Sequence, residues 1–117
     1  MKERIKELWV EALRSGEFIQ TEGALKNSDG YCCLGVLCEL HRRAFGGSKW
    51  IKIDSNAEAH YCGHTGDLPN EVIEWADFPG PEGEKGSLEE TLVTMNDIAK
   101  NTFSEIADFI EANVPSS

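Results

Sequence analysis

The sequence predicts a small α+β domain, mainly helical, with four to five helices and one short β-hairpin. Three observations point there. Residues 2–15 and 103–114 each repeat apolar side chains at the helical period on a charged background. Residues 32–44 are apolar nearly all round, as a helix buried on every side would be. The strand-like material is short, with residues 49–53 and 59–62 flanking a polar turn. A chain of 117 residues suffices for one core, so residues 1–117 are expected to form a single domain.

In the first helix, Ile5, Leu8, Trp9, Ala12 and Leu13 make an apolar stripe, and Lys2, Glu3, Lys6, Glu7, Glu11 and Arg14 lie off it. Gly16 is placed to end it. Residues 18–25 read as an extended excursion returning toward the core, and Asn27, Ser28, Asp29 and Gly30 as a turn. The second helix, residues 32–44, carries Cys33, Leu34, Leu37 and Cys38 at helical spacing. Gly35 inside it costs about 1 kcal/mol relative to alanine, which a closely approaching neighbour would explain. Gly46 and Gly47 break the helix before the hairpin. Leu68 and Pro69 open a third helix that runs to Ala76 on the anchors Val72, Ile73 and Trp75. Residues 78–87, rich in proline and glycine, are expected to be a flexible loop. Ser87 with Glu90, and Thr102 with Glu105, have the spacing of capping boxes, so a helix starts after each. The last of these buries Phe103, Ile106, Ala107, Ile110 and Val114.

The formal net charge of −10 sits in one half of the chain. Residues 1–60 hold nine Lys or Arg against nine Asp or Glu, and residues 61–117 hold two against twelve. Direct nucleic-acid binding is not expected, because phosphate contacts need concentrated cations. No apolar run approaches the roughly 20 residues of a membrane span, and no leader-like segment is visible, so a cytoplasmic protein without a membrane partner is expected. Three of the four cysteines fall within residues 32–38, two of them adjacent, which favours reduced thiols over disulfides.

Two chemistries can be built from the cysteines and histidines. Cys32 and Cys33 follow a turn and start a helix, where unpaired amides and the helix dipole lower a thiol's pKa. With His60 or His64 as base and Asp67 as the orienting acid, either thiol could serve a cysteine hydrolase. The small residues that surround the cysteine of papain-like enzymes are not reproduced here. Zinc is the second chemistry. Cys38 and His41 share a helix face, and His60, Cys62 and His64 alternate and would share a strand face. Their spacing matches no finger or ribbon, and buried cysteine is common without metal, so no cofactor is expected. Paired carboxylates on helices read as solvated faces, and neither a Walker loop nor a dinucleotide fingerprint occurs.

Residues 31–40, Tyr-Cys-Cys-Leu-Gly-Val-Leu-Cys-Glu-Leu, resemble the signature of small uncharacterised proteins of tailed phages and prophages. The likeness extends to residues 9–17, to Leu68 and Pro69 with Trp75, to Met95, Asn96 and Asp97, and to residues 103–108. That resemblance implies a phage or prophage accessory gene acting in a bacterial host cell, and it implies no activity. The acidic half suggests how such a protein would act. Glu71, Glu74, Glu105, Asp108 and Glu111 would present an acidic face to a host protein that is basic or binds nucleic acid, as a host-takeover or anti-defence inhibitor does. Non-enzymatic binding is therefore the expected function. The hydrolase and the small zinc-binding module are the alternatives.

Overall fold

Central to the architecture is a helix with almost no solvent face. A computed structural model describes residues 1–46, 50–52, 59–79 and 87–116. Among these residues the chain forms α1 (Glu3–Arg14), β1 (Lys26–Asn27), β2 (Gly30–Tyr31), α2 (Cys33–Phe45), β3 (Trp50–Lys52), β4 (Ala59–Tyr61), α3 (Asn70–Ala76), α4 (Leu88–Asp97) and α5 (Phe103–Asn113). This is a small, mainly helical α+β fold. In α2, residues 33–39 and His41 are all buried, and the helix packs against α1, α3 and α4. α5 closes the structure against α1 and α4.

Contact on two sides rotates the buried face of α1. Ile5, Trp9, Val10 and Leu13 are buried, whereas Leu8 is 36% exposed. α1 is held between α2 and α5 and buries a broader arc than the stripe alone defines. Its Trp9 indole N–H donates to the Cys33 carbonyl at 2.9 Å, so the largest core side chain keeps its one polar atom satisfied.

Local sequence sets the helix ends. Thr102 and Glu105 form a complete capping box at α5, and Ser87 caps α4 by accepting from the Glu90 N–H. Gly46 ends α2 in the left-handed conformation with φ +70°. Pro69 is the residue before α3, at its N-cap. The hairpin pairs Trp50 with Tyr61, Ile51 with His60 and Lys52 with Ala59. Its turn, and the proline- and glycine-rich residues 80–86 of the expected loop, lie outside the described residues.

A second strand pair joins it. β1 and β2 pair across Ser28 and Asp29, with Asn27 Oδ1 accepting from the Asp29 and Gly30 N–H groups. The turn at residues 27–30 thus closes a very short hairpin. Residues 18–25 return to the core through a bridge of Gln20 to Tyr31 and then bends at residues 22–25, instead of the extended run expected, with Phe18, Ala24 and Leu25 buried.

The start of α2 is fixed by two close contacts. A Cβ built on Gly35 would stand 1.8 Å from the Leu25 carbonyl oxygen, so the 24–25 backbone lies directly on the helix. Asn96, 1% exposed, accepts from the Cys33 N–H at 3.3 Å and from Gln20 Nε2 at 2.9 Å. Its Nδ2 donates to the Thr21 carbonyl and to Asp97 Oδ1, both at 2.8 Å. One carboxamide therefore ties α4 to α2 and to the 20–21 segment.

Gly35→Ala is expected to cost more stability than the helix propensity it gains, because the clash is with backbone. Asn96→Ala should cost about 1–3 kcal/mol, since it strands the buried Cys33 amide and the part-buried Thr21 carbonyl. Chemical denaturation of both variants checks this. A midpoint at or above that of the parent would refute the close approach or the network respectively.

Candidate functional site

At its C-terminal end α2 reaches the surface. His41 and Phe45 lie four residues apart on one face, with ring centroids 4.8 Å apart. α3 lays Trp75 against both, 5.3 Å from His41 and 6.2 Å from Phe45. His41 is buried and its Nδ1 lies 2.7 Å from the Tyr61 hydroxyl. Burial lowers the His41 pKa, and the Glu71 charge acts against that shift. Phe45 remains 63% exposed. Glu71 and Glu74 are exposed on the same short helix as Trp75, the Glu71 charge reaches His41, and neither acid pairs with a cation among the described residues.

One turn earlier, Glu39 holds the neighbouring surface in place. Its buried carboxylate accepts from Arg42 at 2.8 and 2.7 Å, from Arg43 at 3.0 Å and from the Trp50 indole N–H at 3.0 Å. Burial by itself would raise the Glu39 pKa. Hydrogen bonds from Arg42, Trp50 and Arg43, with the Arg42 charge, outweigh it and hold the carboxyl at about 2. Arg43 also pairs with Glu17, so these cations are already engaged.

The thiols lie elsewhere. Cys32 is the N-cap of α2 and its sulfur accepts from the Gly35 N–H at 3.4 Å. Burial pushes this thiol up to about 11, the reverse of the lowering that a helix-start nucleophile needs. Cys33 faces Leu92, with its sulfur 3.7 Å from that carbonyl oxygen. Burial also raises Cys33 and Cys38 well above the ordinary thiol value. Among the described residues no hydrogen bond joins Cys32 or Cys33 to His60 or His64, and the Nδ1 of His64 lies 2.9 Å from Asp67 Oδ1.

The strand alternation expected of His60, Cys62 and His64 is not formed. β4 ends at Tyr61, and Cys62 (φ +50°) and Gly63 (φ +85°) make a two-residue turn that brings His64 back to pair with Tyr61. Two consecutive left-handed residues reverse the chain, so the three side chains do not share a face. Cys38 is fully buried while His41 turns to Tyr61. Among the described residues no group of three or more His, Cys, Asp or Glu is arranged to hold a metal ion.

The acids on α5 are engaged within the fold. Arg14 of α1 binds Asp108 at 2.6 Å and Glu111 at 3.2 Å, and Glu105 accepts from the Thr102 N–H at 2.8 Å. They lie on a different element from Glu71 and Glu74, with α5 packed on α1 and α4 and α3 on α2. The five acids are thus divided between two places. Phe45 went unrecognised in the sequence, although a large aromatic four residues after His41 and just before Gly46 signals an exposed helix end.

A family model described as a domain of unknown function, DUF8296, matches residues 1–114. The chain belongs to that family. The match spans all five helices, from α1 through α5. No curated protein and no solved structure matches the chain. Among the described residues no helix is long and apolar enough to cross a membrane.

With these thiols buried and raised, a maleimide at neutral pH should label half-buried Cys62 first, and Cys32, Cys33 and Cys38 only as fast as the protein opens. Mass mapping of labelled peptides reads the order, and early labelling of Cys32 would restore the nucleophile. Glu39 gives a pH signature. Its folded pKa lies below its unfolded value, so its stabilisation is complete above about pH 4.5 and is lost as pH falls toward about 2. Allowing for screening at the part-exposed arginines, Glu39→Gln should remove about 1–2 kcal/mol of pH-dependent stability over that interval. An unchanged acid-denaturation slope would contradict this account.

Proposed function

We propose that the protein is an accessory protein of phage or prophage origin that binds a basic host protein without catalysis. The phage origin rests on the resemblance carried by residues 31–40 and the blocks that accompany it. The contact surface in this reading is the end of α2 with α3. The observation that carries it is Phe45, a 63% exposed ring backed by Trp75 and His41, on a surface shared with Glu71 and Glu74 of α3, which pair with no cation among the described residues. Large exposed rings are unfavourable in water, and they anchor interfaces when a partner covers them. Carboxylates beside an aromatic suit a partner that presents Lys or Arg around an apolar side chain. Asp108 and Glu111 serve the α1–α5 contact and add to the field rather than to the contact.

Host lysate passed over the immobilised protein, followed by binding kinetics on the captured partner, tests this. Glu71→Lys with Glu74→Lys should slow association more than it hastens dissociation, and rising salt should weaken binding, since exposed charges are screened within about 10 Å at 0.1 M. Phe45→Ala should instead speed dissociation. All three substitutions should leave stability within about 0.5 kcal/mol of the parent. Binding that ignores salt and all three substitutions would remove this surface from consideration.

A further inference from the structure

At the opposite end of α2 lies a cleft of about 230 Å³ that the proposed surface does not use. Its walls come from the first turn of α2 (Cys32, Cys33, Leu34), from Gly23 and Ala24, from Gly66, and from the end of α4 (Val93, Asn96, Asp97). Two runs singled out by the sequence, residues 31–40 and residues 95–97, therefore meet here. We propose that the cleft is an anchor pocket for a single basic side chain, an arginine or lysine carried by a protein partner. It rests on the preceding reading only for the basic character of that partner.

Size excludes larger occupants. At about 230 Å³ the cleft is smaller than the roughly 300–1,000 Å³ of cofactor and small-molecule sites. A side chain fits and a nucleotide does not. The walls suit an amphipathic side chain. Ala24, Cys32, Leu34 and Val93 offer an apolar lining for an aliphatic stem, and Asp97 supplies a charge.

Electrostatics chooses the sign. A helix N-terminus ordinarily favours anions, but here two of its first amides are already taken: Asn96 accepts from the Cys33 N–H and Cys32 from the Gly35 N–H. Asp97 is the last residue of α4, where the dipole already places negative charge, and no basic residue occupies that last turn. The positive end of α2 and the negative end of α4 offset each other, leaving a carboxylate. Asn96 Nδ2 donates to Asp97 Oδ1, and among the described residues no cation pairs with the half-buried Asp97. With the two helix ends offsetting each other, the Asp97 carboxylate sets the sign of the cleft and suits a bound cation.

The test uses N-acetyl-arginine amide as probe, titrated into the ¹⁵N-labelled full chain. Saturable shifts are expected at the Gly23, Gly66 and Asp97 amides and the Asn96 side chain, with millimolar affinity. Asp97→Asn should weaken binding about tenfold or more, and the uncharged N-acetyl-norleucine amide should not saturate. A Cβ on Gly66 would meet nothing within 4 Å, so Gly66→Phe can plug the cleft without displacing backbone and should abolish the shifts. Shifts that never saturate, or that survive both substitutions, would overturn the proposal. The 13 residues of α2 put Phe45 about 20 Å away, so Glu71→Lys should leave this titration unchanged. Failure here therefore leaves the α2–α3 surface standing, and failure there leaves the anchor pocket standing.

Discussion

Everything in this fold is arranged around a helix that has to be buried on nearly every side. Burying α2 removes apolar surface from water, but its first amides must find partners inside the protein. Asn96 supplies one from α4 and Cys32 supplies another from its own sulfur. The absence of a side chain at Gly35 lets the 24–25 backbone cover the helix from above. Those contacts in turn fix Gln20 and Thr21, whose bonds reach Asn96, Asn101 and the start of α5 at Phe103. The loop after α1 is thus tied to the last helix through one carboxamide.

The two ends of α2 differ for a physical reason. At its start, the Cys33 and Gly35 amides are capped, and Asp97, which pairs with no cation among the described residues, stands beside a small cleft. At its end, Glu39 gathers Arg42, Arg43 and Trp50 while the helix runs out from under its neighbours, leaving Phe45 in solvent. The thiols that dominate the sequence belong to the first end and to packing. Burial raises all three on α2 or at its cap, so the residues most conspicuous as chemistry are held in their least reactive form.

Net charge proved a poor guide to where a face lies. Counting acids in residues 61–117 does not reveal that Asp108 and Glu111 reach across to Arg14, or that Glu105 caps its own helix. Charges cancel by proximity, and Arg14 is far from α5 in sequence while touching it in space. Glu71 and Glu74 meet no cation among the described residues because α3 packs on α2 with these two acids exposed, not because they belong to a larger acidic run.

The helices were legible in the sequence because their causes are local. Periodic apolar residues, Ser87, Thr102 with Glu105, and Gly46 act within a turn or two of the backbone they control. Gly35 could be read as the mark of a close neighbour, though not which one. Tertiary structure alone decided that Val10 rather than Leu8 is buried, that Cys62 turns the chain away from a shared strand face, and that Asn96 seats α2. It also decided that the acids fall in two places. Each of these outcomes depends on which distant segment arrives at a given side chain, and a linear pattern carries no record of that arrival. Burial, pairing and pKa are properties of neighbourhoods in space, and periodicity reports only which residues share a face.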